Sequence, residues 1–189
     1  MNQLLVCVRH GETAWTLSGQ HTGSTDVPLN DAGRDQARRL GASLTATNFE
    51  FVLSSPLARA RETAELAGFP NAQSCGDLAE WDYGSFEGLT TDQIRATSPG
   101  WTLWADGVPG GETAANVGAR ADGVIAQVRA ARGPALVFSH GHFLRVLAAR
   151  WVGLAPTSGA VLALAPASVS VLGWEREQPV LQRWNIVEA

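Results

Sequence analysis

Three short stretches of the 189-residue chain set arginine or histidine within a few residues after an apolar run. Val8 leads into Arg9-His10-Gly11, Leu53 into Ser54-Ser55-Pro56-Leu57-Ala58-Arg59, and Phe138 into Ser139-His140-Gly141-His142. Two arginines and two histidines, with the backbone amides that Gly11 and Gly141 can offer, make a pocket for an anion. A tetrahedral phosphate is the natural occupant, because guanidinium forks match its oxygens. A neutral imidazole there can attack phosphorus and form a phosphohistidine, while the arginines offset the charge that builds on the phosphoryl oxygens. An acid must then protonate the departing oxygen. Glu80, set among aromatic residues in Leu78-Ala79-Glu80-Trp81-Asp82-Tyr83-Gly84, is the candidate.

These residues converge only if the right elements carry them. Leu4–Val8, Phe49–Ser54 and Ala135–Ser139 are apolar runs of strand length, short and unalternating as in strands buried on both faces. Between them lie helical patterns. Asn30 can cap a helix whose inner face is Ala37, Leu40, Gly41 and Leu44. Ser55-Pro56 opens another that runs to Gly68, with Arg61 and Glu65 one turn apart. Residues 111–131 form a long amphipathic helix with Val117, Val124, Ile125 and Val128 inward, stopped by Gly133-Pro134, and Phe143–Val152 a further one closed by Gly153. Val161–Ala165, Ser168–Leu172 and Val180–Trp184 read as late strands at a sheet edge. The alternation predicts one α/β domain over residues 1–189, three layers deep, with a mostly parallel central sheet and helices on both faces. In such a sheet the three motifs fall at the same carboxyl edge, where ligand crevices form. The alternation fails over residues 81–110, a stretch with Trp81, Trp101 and Trp104 and many polar, Gly and Pro residues that reads as a lid or specificity segment.

Composition narrows the chemistry. All 14 basic residues are arginines, so Schiff-base lysine enzymes and P-loop nucleotide enzymes are excluded. A net charge of −4 argues against nucleic acid as a partner. The apolar runs are too short to span a bilayer, and no signal peptide opens the chain. Two cysteines, one inside an apolar run, argue against a disulfide framework and for the cytoplasm.

Taken together, Arg9-His10-Gly11-Glu12-Thr13, Ser54-Ser55-Pro56 through Arg59 and Thr63-Ala64, Leu78-Ala79-Glu80 through Tyr83-Gly84, Gly111-Glu112-Thr113 and Ser139-His140-Gly141 resemble the motif series of the histidine phosphatase superfamily, in its phosphoglycerate-mutase-like branch. The likeness runs over nearly the whole chain, to Arg183-Trp184-Asn185. It implies His10 as the phosphorylated nucleophile, Arg9, Arg59 and His140 as phosphoryl-binding groups, Glu80 as proton donor, and neither metal nor other cofactor. Thr22, Gly23 and Tyr83 match substrate-contacting positions, with Gln20 beside them; Thr16, Gly141 and His142 complete the expected substrate wall.

The departures favour a phosphatase over a mutase. Mutases of this family carry a large insertion after the glutamate block, and here about thirty residues separate Glu80 from Gly111-Glu112-Thr113. Thr16 and His142 each stand where mutases have asparagine. The stretch Glu80 to Leu89 is closer to the family's small acid phosphatases, and Ser18-Gly19-Gln20 resembles their sugar-phosphatase relatives. The expected partner is therefore a small phosphorylated metabolite, with a homodimer through the late strands as a further expectation. Mutase-type transfer, a catalytically silent phospholigand-binding domain and a zinc hydrolase using His10, His140 and His142 are the competing readings. Against zinc, the neighbouring arginines repel a cation. His21 and His142 sit beside motifs without a chemical role of their own.

Overall fold

The computed structural model describes residues 3–187. In chain order its elements are β1 (Leu5–Arg9), α1 (Ala14–Ser18), α2 (Asp31–Leu44), β2 (Phe51–Ser54), α3 (Ala58–Leu66), β3 (Gln73–Ser74), α4 (Thr91–Thr97), α5 (Leu103–Asp106), α6 (Ala114–Ala130), β4 (Ala135–Ser139), α7 (Gly141–Trp151), β5 (Val169–Glu175) and β6 (Gln178–Ile186). The strands form one sheet in the order β3-β2-β4-β1-β5-β6. The pairings among β3, β2, β4 and β1 are parallel, while β5 pairs antiparallel with β1 and β6 with β5. The α/β class and mostly parallel sheet expected from the alternation are the ones observed.

The apolar runs lack polar alternation because the sheet is covered on both sides. Leu5, Cys7, Leu53, Ala135 and Val137 face the larger core with α6 and α7; Val8, Leu136 and Phe138, from alternate positions, join Leu40, Leu44 and Ala64 of α2 and α3. Register then fixes the site. Arg9 lies opposite Ser139 and Ser54 opposite Phe138, so the three central strands end level.

Several boundaries differ from the sequence reading, each for a local reason. Asn30 caps α2 through Gly33 N–H at 2.8 Å, and Ala37, Leu40 and Leu44 are buried as expected. The next helix does not start at Ser55-Pro56. The Ser55 hydroxyl is engaged by His140 Nε2 at 2.8 Å, and α3 begins where Asp26 accepts the Ala58 N–H at 2.8 Å. Arg61 and Glu65 form no ion pair among the described residues; from this helix Glu62 meets Arg34 at 2.6 Å. Val161–Ala165 is not a strand: Pro156–Val161 is a 3-10 helix, and Arg145 takes the carbonyls of Gly159 and Ala160 while Arg9 takes that of Leu164. Within the segment Trp184 Nε1 takes the Ala163 carbonyl and Asn185 Oδ1 the Ala165 N–H, so with Leu164 O held by Arg9 little backbone is left for a ladder. The other two late strands form, with β6 at the sheet edge.

Residues 81–110 carry α4 and α5 and pack into the larger core, where Trp81, Tyr83, Ile94, Trp101 and Leu103 are buried. Cys7 and Cys75 are free, and burial pushes the Cys7 thiol up. No described helix is long and apolar enough to cross a membrane.

Candidate active site

The level strand ends bring His10, Ser55 and His140 together. The His10 backbone continues the ladder past β1: its N–H donates to Ser139 O at 2.9 Å and its carbonyl accepts from Ala167 N at 3.0 Å. Its Nδ1 lies 2.7 Å from Gly11 O. A carbonyl only accepts, so Nδ1 carries the proton and Nε2 keeps its lone pair on the wall of a surface cleft. Burial, then the charges of Arg9 and Arg59, hold this imidazole well below its usual pKa and hence neutral. Gly11 plays a different part from the one its sequence suggests. Its N–H donates to Thr63 Oγ1 at 3.1 Å, and a Cβ there would collide with the Gly33 carbonyl of α2. It is a packing glycine rather than a ligand donor.

His140 stands 5.1 Å from His10, ring centre to ring centre, as the residue before α7. Arg59 Nε donates to its Nδ1 at 3.2 Å, which puts the proton on Nε2, facing Ser55 Oγ. Burial and then the Arg59 charge keep it neutral. Arg59 is itself fully buried, donating from Nη1 to Thr25 O at 2.9 Å and from Nη2 to Thr22 O and Gly23 O at 3.1 and 3.0 Å. Gly23 gives its N–H to the Glu87 carboxylate at 2.9 and 3.0 Å. Arg59, His140 and Gly23 therefore form a layer behind the cleft, and none of the three lines it. The sequence leads one to expect Arg59 and His140 on the wall, whereas the structure commits their polar atoms to the loop of residues 22–25 and to Ser55.

Arg9 does line the cleft. Its guanidinium lies under Gly141, where a Cβ would come within 3.2 Å of Cζ, and its buried Nε has no partner among the described residues. Glycine here lets the guanidinium lie against the backbone without giving way to a side chain.

Glu80 reaches the same wall from the far side of the sheet. After β3, a 3-10 turn at Gly76–Leu78 carries the chain back across β2 towards α7. Buried Leu78 and Trp81 flank the carboxylate. Its Oε1 accepts from Trp81 N at 3.0 Å and Phe143 N at 2.8 Å, and its Oε2 from His142 N at 3.1 Å. Two of those donors are the open amides of the first turn of α7. Among the described residues Glu80 is the carboxylate on the cleft wall; Glu12 is turned to Asn30, and Asp82 caps Gly84.

The outer wall holds most of the remaining expected residues. Thr16 and Thr22 line it, although the Thr16 hydroxyl also closes the cap of α1 with Thr13. Gln20 is pinned by Ser18 at 2.6 Å and by Gly88 O at 2.7 Å. Tyr83 O–H meets His142 Nδ1 at 2.6 Å. Burial and Glu80 raise the phenol well above its usual pKa, so it keeps its proton, and the one hydrogen bond between the two side chains couples it to the His142 tautomer. His21, Trp15, Leu164 and Arg145 line the cleft as well. Arg145 was legible in principle, since it lies one helical turn after His142. Its Nε and Nη2 hold Gly159 O and Ala160 O at 3.0 Å each, with Trp104 stacked 4.7 Å away. Leu164 had no such signal, because a loop ordered by distant arginines brings it in.

The cleft thus presents a neutral nucleophilic imidazole, unpaired guanidinium donors and a carboxylate. Known proteins resemble the chain in sequence and in fold. The "Acid phosphatase" of Mycobacterium tuberculosis is 44% identical over 178 residues, covering 92% of this chain and 88% of that protein. The sedoheptulose 1,7-bisphosphatase of Saccharomyces cerevisiae is 37% identical over 182 residues, covering 79% of this chain and 67% of its own. Among solved structures, one of an open reading frame from Mycobacterium tuberculosis superposes with a TM-score of 0.93 at 42% identity over 99% of both chains. A mycobacterial glucosyl-3-phosphoglycerate phosphatase complexed with VO3 gives 0.86 at 29% identity, covering 96% of this chain and 98% of that one. The family profile described as histidine phosphatase superfamily (branch 1) matches residues 5–187, and with it the chain belongs to that superfamily as one of its phosphatases.

Proposed function

We propose that the chain hydrolyses small phosphomonoesters, sugar phosphates among them, through a phosphohistidine on His10 and without a metal. One observation carries this reading above the others: the Gly11 carbonyl fixes the His10 proton on Nδ1, so that Nε2 faces the cleft as a lone pair beside Arg9. In the first step Nε2 attacks phosphorus, the ester P–O bond breaks, and Glu80 gives the leaving oxygen its proton. Arg9 offsets charge on the phosphoryl oxygens, and Arg59 does so from behind the two histidines. In the second step the Glu80 carboxylate takes a proton from water as its oxygen attacks phosphorus and the P–N bond breaks. Inorganic phosphate leaves and the starting state returns.

Two relatives support sugar-type substrates, one named a sedoheptulose bisphosphatase and the other a glucosyl-phosphoglycerate phosphatase. The polar outer wall, with Gln20, His142 and Arg145, suits a hydroxylated leaving group. Acid and base quenches of the enzyme with a labelled substrate test the mechanism. The adduct should survive base, be lost in acid and vanish in His10→Ala, and turnover should persist in EDTA. An acid-stable adduct mapping to Ser55 or Ser139 would remove His10 as nucleophile, and loss of turnover in EDTA would remove metal independence.

A further inference from the structure

Arg120 of α6 does not line the cleft, yet its donors converge on the segment that ends in Glu80. Nη1 donates to Asp77 O at 2.7 Å and Ala79 O at 2.9 Å, and Nη2 to Glu80 O at 3.3 Å. The one carbonyl skipped, Leu78 O, accepts from Ser139 Oγ at 2.7 Å. Four successive carbonyls are therefore held, three of them by one guanidinium. Glu112 fixes that guanidinium with a fork, Nε to Oε1 at 2.9 Å and Nη2 to Oε2 at 2.7 Å. Glu112 then grips the residues after Glu80, accepting Asp82 N–H at 3.1 Å and, through its carbonyl, Trp81 Nε1–H at 2.9 Å. Arg120 also stacks 5.0 Å above the Phe143 ring, and the Phe143 N–H donates to the Glu80 carboxylate.

We propose that Arg120 is a positioning residue for proton transfer: by clamping the main chain of Glu80 and packing on Phe143 it holds the carboxyl where the leaving oxygen will be. A surface ion pair would not need three backbone carbonyls, and Arg120 and Glu112 side chains are only 19% and 24% exposed. The role rests on Glu80 being the proton donor. Loosening a group by about 1 Å can lower a rate roughly 100-fold, and the effect falls on the step that uses the group.

The test compares single-turnover release from a sugar phosphate and from p-nitrophenyl phosphate, whose leaving group needs little protonation. Arg120→Ala should slow the sugar ester about 100-fold and the nitrophenyl ester no more than about threefold, with inhibition by inorganic phosphate unchanged. Arg120→Lys, which keeps the charge but cannot fork, should fall between, and it carries the test if Arg120→Ala fails to fold. Arg120→Ala in a Glu80→Gln background should add nothing. Equal losses on both esters in the Arg120 variants, while Glu80→Gln keeps its leaving-group selectivity, would make Arg120 structural and leave Glu80 standing. Equal losses in Glu80→Gln itself would remove the donor, and the positioning role with it.

Discussion

At the inner end of the cleft, His10, Ser55 and His140 follow three parallel strands in level register, with the Arg59 side chain filling the space behind them. The outer wall is assembled differently, with Gln20 and His21 from one loop, Tyr83 from another, and His142 and Arg145 from a face of α7. The inner polar atoms are largely committed to one another: Arg59 to His140, His140 to Ser55, His10 to Gly11. Among the described residues Arg9 Nε at the inner end and His21 Nε2 on the outer wall are buried without a partner. An interlocked end on level strands suits the group that all substrates share, and a wall drawn from separate loops suits the part by which they differ. Residues from the two ends should therefore fail in different ways.

The largest failure belongs to His10. Its removal should lower kcat by several orders of magnitude, as with other covalent nucleophiles, and for every ester alike. Rates of His10→Ala on two chemically unlike esters measure this, and a variant that kept selective activity would break the division between inner and outer ends.

Arg59 comes next. Arg59→Ala takes a donor from each of the carbonyls of Thr22, Gly23 and Thr25, of which Thr25 O keeps the Val27 N–H, and withdraws the charge that, after burial, keeps His140 neutral. The expected loss is about 3–5 kcal/mol in kcat/KM, with a fall in Tm, and Arg59→Lys recovers only part. Because Arg59 lies behind the wall, KM for different esters should shift together. A change confined to one substrate class would place it on the wall instead.

Acidity probes both ends through stability. His10, His140 and His142 are all held well below the usual 6.5, burial being the first cause for each. Above that value folded and unfolded chains are both neutral, and the contribution vanishes. Below it the unfolded chain takes up protons that the folded one refuses, so stability falls as pH falls. The slope is about 1.4 kcal/mol per pH unit for each histidine. Denaturant midpoints from pH 7.5 to 5 should record this, and His142→Asn should remove one histidine's share. A flat profile would contradict the neutral state assigned to the nucleophile.

How much of this was legible beforehand follows from the same division. His10, Arg59, Glu80 and His140 lie within six residues of an apolar run or a motif block, so local order in the chain announces them. Their approach to the cleft was not legible. Nothing in Leu57-Ala58-Arg59 says that Arg59 turns to the carbonyls of residues 22–25, or that Ser55 is drawn from capping α3 to His140. The supposed strand at Val161–Ala165 failed for a related reason, since its apolar residues say nothing of Arg9, Trp184 and Asn185 claiming its backbone.

Arg145 is the sharper test of the outer wall. Its Nε and Nη2 are tied to Gly159 and Ala160, and removing it should cost the leaving-group side alone. Arg145→Ala should lower kcat/KM for sugar phosphates about 10–100-fold while inorganic phosphate binds nearly as before. Equal weakening of phosphate would move Arg145 into the inner group.

The smallest effect is expected of the Tyr83 hydroxyl. It shares a hydrogen bond of 2.6 Å with His142 Nδ1, in a place where burial keeps the phenol protonated. Tyr83→Phe keeps the buried ring and the larger core intact, so the fold should hold. What is lost is one hydrogen bond, worth about 0.5–1.5 kcal/mol, and with it the constraint on the His142 tautomer. Freed of that partner, His142 can present either tautomer, and a substrate hydroxyl that needs one of them meets it only part of the time. The consequence should be a rise of about two- to tenfold in KM for hydroxylated leaving groups, with kcat for p-nitrophenyl phosphate unchanged. Nitrogen-15 shifts of the His142 ring, read in Tyr83→Phe with and without ligand, separate this from simple loss of packing. If the tautomer stays fixed while KM still rises, the phenol acts by touching the substrate itself and not through His142.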